Sequence, residues 1–122
     1  MTTTEIGQLA ENLVLNWYLE QGYILVVKNF NYYQSDKIGE IDLIMSKDKR
    51  LFLVEVKARK NQNFALVLEQ ITRKKLLCLY KSYQGFVRRY PSYSNWSVQF
   101  DAAILVDKKL NIYSNCYSFD SF

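Results

Sequence analysis

The sequence contains no histidine, and this absence removes two common kinds of active site. A Ser-His-Asp triad needs an imidazole base, and a His-ligated zinc site needs imidazole nitrogens. Cysteine is scarce as well, since Cys78 and Cys116 are far apart and lack the short spacing of metal-ligand pairs. We interpret both as small apolar thiols in a reducing compartment. The chemistry of this chain must therefore come from other side chains.

Long apolar runs are also missing. No segment approaches the ~18 residues needed to span a membrane, and the first residues, MTTTEIGQLAEN, lack the basic and apolar parts of a secretion signal. We therefore predict a cytoplasmic protein without a membrane partner. The 122 residues, of which 49% are hydrophobic, suit a single domain over residues 1–122 whose core needs no disulfide.

Basic residues are unevenly distributed along the chain. No lysine or arginine precedes Lys28, whereas twelve lie between positions 47 and 89, where only three acidic residues are found. This asymmetry indicates a surface for a polyanion. Solvated helix and turn faces would produce the same pattern, and charge alone does not choose between the two interpretations.

Hydrophobic periodicity predicts an α/β fold in the order α-β-β-β-α-β-β, with a central sheet flanked by helices. A polar loop is expected over 30–38, where tyrosines either stack on bases or cover the core. Gly22 and Gly85 are expected to end the two helices. The predicted segments are a helix over 4–21, strands over 23–29, 39–45 and 51–57, a helix over 64–83, and strands over 96–106 and 111–117.

Acidic residues interrupt two adjacent apolar strands of this prediction. Side chains two positions apart share a face of a strand, so Asp42, Glu55 and Lys57 are predicted to converge at one end of a hairpin. The same rule points Ile41 and Leu43 to the opposite face. Because unpaired buried charge is costly, the convergence predicts either a metal site or a structural ion pair of Glu55 with Lys57 beside a solvated sheet edge.

The carboxylates suit a divalent cation such as Mg²⁺ or Mn²⁺, which takes hard oxygen ligands. Asp42 and Glu55 would provide two of them, and the main-chain carbonyl of Val56 would provide a third. Lys57 would hold the attacking water or offset negative charge on a phosphate. Polar and basic residues that follow the strand predicted over 51–57 would bind a phosphate backbone in a salt-sensitive manner. We call this set the basic strip: Arg59, Lys60, Gln70, Arg73, Lys74 and Lys75.

Twelve residues separate Asp42 from the segment Glu55-Val56-Lys57. This spacing resembles the core motif of the PD-(D/E)XK nuclease superfamily. A wider match, over roughly residues 5–106, resembles the small YraN-like bacterial family, which is similar to archaeal Holliday-junction resolvases. The matching positions are Gly7, Glu11, Gly22-Tyr23, GEIDLI at 39–44, VEVKAR at 54–59, Ile71-Thr72, Lys75 and Phe100-Asp101.

The resemblance implies a restriction-endonuclease-like core with a central mixed sheet. It makes Asp42 and Glu55 the metal ligands and Lys57 the catalytic lysine. It also adds Glu11 as a further acid of the site, although on the helix alone this residue looks like an ordinary surface glutamate. Glu40 is implied to be an accessory metal ligand.

The resemblance further implies a substrate contact from Gln70, whereas Asp101 is expected to organise its strand. The implied activity is a Mg²⁺- or Mn²⁺-dependent endonuclease acting on DNA, including branched or structured DNA, as a homodimer. Two other classes stay open. One is a non-cleaving nucleic-acid-binding module, and the other is a structural or partner-binding domain that uses the aromatic connector from Tyr90 to Trp96.

Overall fold

The computed structural model describes residues 1–117 and contains a mixed five-stranded sheet with helices on both faces. The predicted order is confirmed, with the second helical region divided in two; positions 118–122 of the predicted domain lie outside the described residues. None of the helices within this range has an apolar stretch that could traverse a bilayer. The elements are α1 (Thr3–Glu20), β1 (Ile24–Gln34), β2 (Asp36–Lys47), β3 (Arg50–Arg59), α2 (Phe64–Glu69), α3 (Arg73–Arg89), a 3-10 turn (Pro91–Tyr93), β4 (Ser97–Val106) and β5 (Lys109–Tyr117).

The sheet has the strand order β1-β2-β3-β4-β5. Strands β3 and β4 run parallel and are joined by the crossover through α2 and α3, whereas the other neighbouring pairs are antiparallel. The β3–β4 ladder runs along all of β3, but the β2–β3 ladder is shorter, because its last pair is Leu43 with Val54. Strands β2 and β3 therefore part at the level of Asp42 and Glu55.

Apolar side chains divide between the two faces of the sheet, as the alternation of β2 and β3 predicts. The cluster on the α3 side includes Ile44, Leu51, Leu53, Leu79, Phe86 and Phe100. The cluster on the α1 side includes Val14, Tyr18, Leu43, Met45, Phe52 and Val54. Both faces of the central strands are thus buried, which explains the almost continuous apolar runs that follow Asp42 on β2 and precede Glu55 on β3.

The predicted alternation is wrong at Ile41. We expected it on the face of Leu43, but it packs in the α3-side cluster together with Phe30, its partner on β1. The interruption coincides with Asn29, which directly precedes Phe30 and whose φ of 51° departs from strand geometry. This irregular point of the hairpin adjoins the opening between β2 and β3.

The region 30–38 is not a loop but the end of a hairpin. β1 continues to Gln34, Ser35 turns the chain with a φ of 62°, and β2 follows at once. Because β1 is an edge strand with much of its length exposed, its polar composition reflects contact with solvent. Tyr32 is also packed, since its hydroxyl accepts hydrogen bonds from Arg88 at 2.6 Å and Gln34 at 2.7 Å.

The single helix predicted over 64–83 is two helices. Thr72 begins α3 as its N-cap, because its hydroxyl accepts a hydrogen bond of 3.2 Å from the Lys75 N–H. The extended backbone of Thr72, with ψ of 164°, interrupts the helical path, and apolar periodicity does not register such a break. Gly85 does not end α3, which continues to Arg89.

Glycine is required where β2 crosses α3. A Cβ atom at Gly39 would lie 2.5 Å from Ser82 Oγ and 2.9 Å from the carbonyl oxygen of Cys78. The strand therefore lies almost against the helix backbone, three residues before Asp42. This close contact sets the distance between α3 and the strand that carries the acid.

The aromatic connector between α3 and β4 is mostly packed. Tyr93 lies edge-on to Trp96 with ring centroids 4.9 Å apart, and both residues pack against the α3-side cluster. Tyr90 is exposed to 39% but its ring contacts Phe86. This packing offers little support for a partner-binding surface at the connector.

Candidate active site

The candidate active site lies where β2 and β3 part. Here a side-chain contact replaces the ladder, because Asp42 Oδ2 accepts a hydrogen bond of 2.8 Å from the main-chain N–H of Val56. The N–H and C=O groups of one strand residue point to the same edge, so the Val56 carbonyl faces the same opening. The structure therefore brings Asp42 and Val56 together.

Glu55 adjoins this contact and is only 4% exposed. Its Oε1 atom lies 3.4 Å from Lys75 Nζ and 3.9 Å from Lys57 Nζ. Its Oε2 atom is buried and has no hydrogen-bond partner among the described residues. Both ammonium groups thus contact one oxygen of the carboxylate. Because buried polar atoms are rarely left unpaired, the other oxygen is available to a cation or a water molecule.

Burial raises the pKa of both carboxyl groups. For Glu55, desolvation is the largest cause and the charge of Asp42 adds to it, which raises the pKa to about 7 despite the attraction of Lys75 and Lys57. For Asp42, desolvation is again the largest cause of the raised pKa, and the hydrogen bond from Val56 opposes it. The two lysines therefore do not fully compensate the paired carboxylates, and the site favours an additional cation or a proton.

Two further acids lie at the edge of the site. The pKa of Glu11 is raised by partial burial and by the charges of Asp42 and Glu40, so α1 brings this side chain close to the other acids. The amide nitrogen of Asn29, when it faces these acids, lies 2.9 Å from Glu11 Oε1 and 3.3 Å from Glu40 Oε1. Glu40 also forms an ion pair of 3.2 Å with Lys37.

Sequence reasoning missed Asn29. The signal that would have found it is the register of the β1–β2 hairpin, in which the flanking pairs place Asn29 opposite Asp42. That register was not predictable while residues 30–38 were assigned to a loop.

The basic strip is only partly assembled at the site. Lys75, predicted to bind phosphate, contacts Glu55 and so reaches the carboxylates directly. Arg59 and Gln70 bind each other through a hydrogen bond of 3.0 Å between Nε and Oε1. The remaining members lie at exposed positions: Lys60, Arg73 and Lys74.

A groove of about 1110 Å³ adjoins the site at Val56 and runs between the start of α1 and the ends of β3 and β4. Ile6 and Gly7 of α1 line one side of it. A single acidic residue, Asp107, lies among its lining residues. The basic residues that line the groove are Arg59, Lys60, Lys108 and Lys109.

The donor set suits a hard divalent cation. Asp42 and Glu55 present carboxylate oxygens, one of which has no partner, and the Val56 carbonyl faces the same opening. Within residues 1–117, no three acidic or cysteine side chains are grouped closely enough to hold an ion by themselves. A cation would therefore complete its shell with main-chain oxygen and water, as Mg²⁺ commonly does in proteins.

Asp101 is a second buried acid, and it has its own set of partners. Its carboxylate is 2% exposed and accepts hydrogen bonds from the Tyr18 hydroxyl at 2.7 Å, the Gln99 amide at 2.9 Å and the Asn115 N–H at 2.9 Å. These bonds connect β4 with α1 and β5. Asp101 therefore organises its strand, as expected, and its oxygens are already occupied.

Comparisons with known proteins agree on one family. The model described as Uncharacterised protein family UPF0102 matches residues 10–106. A UPF0102 protein of Caldicellulosiruptor bescii is 33% identical over 113 residues, which cover 92% of each chain. A UPF0102 protein of Legionella pneumophila is 37% identical over 89% of this chain and 88% of its own. A UPF0102 protein of Acinetobacter baumannii is 35% identical over 83% of this chain and 73% of its own.

Proposed function

We propose that this chain, which belongs to the uncharacterised protein family UPF0102, is a metal-dependent endonuclease of the PD-(D/E)XK superfamily that hydrolyses phosphodiester bonds in DNA. The observation that supports the proposal is the meeting of Asp42, Glu55 and Lys57 where β2 and β3 part. A purely structural ion pair would be expected to satisfy both oxygens of Glu55, yet one of them is buried without a donor among the described residues.

The roles of the side chains follow from their positions. A Mg²⁺ or Mn²⁺ ion bound by Asp42, Glu55 and the Val56 carbonyl would supply an activated water and neutralise charge on the phosphate. The Val56 N–H holds the Asp42 carboxylate in one orientation. Lys57 offsets negative charge at the phosphate, and Glu11 adds negative potential from the side of α1.

The substrate class is argued from charge. Among the fifteen residues that line the groove beside Val56, four are basic, one is acidic and ten are uncharged, and this excess of positive charge favours a phosphate backbone. Backbone contacts carry little sequence information, so we propose recognition of DNA structure, including branched DNA, with affinity that falls as salt rises. Cutting two strands at a branch needs two copies of the site, and we therefore propose a homodimer.

Cleavage assays test the proposal directly. Purified protein is incubated with linear, nicked, flapped and branched DNA in Mg²⁺, in Mn²⁺ and in a chelator. We expect cutting of at least one structured substrate that requires the metal. The Asp42→Asn variant keeps the shape of the side chain but loses the charge, and we expect its cleavage to fall to background.

The matched control is Asp48→Asn, which makes the same chemical change at an exposed position of the turn between β2 and β3. It should cut like the unmodified protein. Cleavage that persists in Asp42→Asn would assign the activity to another site or to a contaminant. An absence of cleavage with every substrate and both metals would refute the proposed activity.

A second candidate function is a non-cleaving nucleic-acid-binding module. It is favoured by the contact of Glu55 Oε1 with two ammonium groups, which partly neutralises the acid that a nuclease needs. This function predicts salt-dependent DNA binding that is unaffected by a chelator and by Asp42→Asn. Combined neutralisation of Arg73 and Lys74 should then weaken binding without any change in metal dependence.

A further inference from the structure

We propose that Lys75 is the counter-ion of Glu55 in the metal-free protein, and that it couples binding of the divalent cation to the arrival of a DNA phosphate. The inference rests on the proposed function, because it concerns the order in which metal and substrate enter that site. It assigns to Lys75 a role that is distinct from those of Lys57 and of the exposed basic residues.

The geometry distinguishes the two lysines. Lys75 Nζ is the closer of the two to Glu55 Oε1, at 3.4 Å against 3.9 Å for Lys57. The side chain of Lys57 projects from a central strand and is 20% exposed, whereas that of Lys75 projects from the first turn of α3 and is 40% exposed. Lys75 therefore has more freedom to leave the carboxylate and return.

A divalent cation competes with this arrangement. An ion that bound Glu55 would come close to both ammonium groups, and like charges at this distance repel strongly in a partly buried site. The free carboxylate oxygen shows where a cation would find a ligand, but the neighbouring lysines make its binding unfavourable while no anion is present. Metal alone should therefore bind weakly.

A phosphate of the DNA would relieve the repulsion between the cation and the two ammonium groups. Its negative oxygens offer Lys75 a new partner and at the same time attract the cation, so each ligand favours the binding of the other. Such coupling is reciprocal, which means that metal strengthens DNA binding by the same factor as DNA strengthens metal binding. The consequence is a site that loads its metal mainly when substrate is present.

The test measures metal binding and not cleavage. Mn²⁺ is titrated into the protein, and the free ion is followed by electron paramagnetic resonance, with and without a short phosphorothioate DNA duplex; Mn²⁺ bound by the duplex alone is subtracted. The variants are Lys75→Gln, Lys75→Arg and the control Lys81→Gln. Lys81 lies on the same helix at an exposed position and has no part in the site.

We expect Lys75→Gln to bind Mn²⁺ without DNA at least about fivefold more tightly than the unmodified protein and to lose most of the gain that the duplex provides. Lys75→Arg, which keeps the charge, and Lys81→Gln should behave like the unmodified protein. Equal or weaker Mn²⁺ binding by folded Lys75→Gln would overturn the proposal, as would an equal gain in Lys81→Gln or no Mn²⁺ binding by any variant.

The result is separable from that of the cleavage assay. If no DNA is cut but Lys75→Gln tightens Mn²⁺ binding as expected, the nuclease proposal fails and the counter-ion role of Lys75 stands. If DNA is cut in a metal-dependent manner but Lys75→Gln leaves Mn²⁺ affinity unchanged, the nuclease proposal stands and the role of Lys75 fails.

Discussion

Replacement of Glu55 by glutamine should stabilise the metal-free protein at alkaline pH. The carboxylate is 4% exposed, one of its oxygens has no donor among the described residues, and its pKa is raised to about 7 by burial and by Asp42. The attraction of the neighbouring lysines is already included in that balance. Glutamine has nearly the same shape but carries no charge that must be desolvated.

The size of this stabilisation follows from the raised pKa of Glu55. The unfolded chain releases the Glu55 proton near pH 4.5, whereas the folded chain keeps it up to about pH 7. Stability therefore falls as pH rises between these two values, because the native state binds the proton and the unfolded state does not. At about 1.4 kcal/mol for each pKa unit, the loss from this one group amounts to about 3 kcal/mol.

Urea unfolding in the presence of a chelator measures the difference. We expect Glu55→Gln to match the unmodified protein near the lower pH and to exceed its unfolding free energy by about 3 kcal/mol above about pH 8. Glu69→Gln, at an exposed position, is the control and should show no such difference. A gain that does not depend on pH, or a loss of stability at alkaline pH, would refute the reasoning.

Two further predictions concern the scaffold of the site. Gly39→Ala should lower the unfolding free energy by about 1–3 kcal/mol, because its Cβ atom would meet Ser82 Oγ at 2.5 Å. The control Gly7→Ala places its Cβ atom where nothing lies within 4 Å, so it should not be destabilising. Equal effects of the two substitutions in urea unfolding would contradict this prediction. Tyr18→Phe should cost about 1–3 kcal/mol, because Asp101 loses one of its three hydrogen bonds while it stays buried; an unchanged midpoint would show that this bond contributes little.

Part of this site was predictable from local pattern alone. Alternation along a strand depends only on backbone geometry, so Glu55 and Lys57 could be placed on one face of β3 without knowledge of the remaining chain. Asp42 lies beside the interruption at Ile41, and its position depends also on the end of the β2–β3 ladder and on the Val56 N–H. Burial of the central strands was also predictable, because a continuous apolar run puts apolar side chains on both faces of a strand.

The remainder depends on contacts that periodicity does not encode. Lys75 reaches Glu55 because Thr72 starts α3 as a new helix above the sheet. A single capping hydrogen bond, from the Lys75 N–H to the Thr72 hydroxyl, marks the interruption between α2 and α3. Asn29 reaches the acids because β1 extends along β2 through residues whose polarity looks like that of a loop. The first case is a local capping contact and the second is a pairing of two strands, and neither is encoded in the apolar periodicity.

The hydrogen bond between the Val56 N–H and Asp42 gives the site a spectroscopic reporter. An amide proton bonded to an ionised carboxylate is strongly polarised, and its nuclear magnetic resonance signal moves when that carboxylate takes up a proton or turns toward an ion. One backbone resonance therefore records the state of Asp42 in solution, without labelled DNA and without turnover.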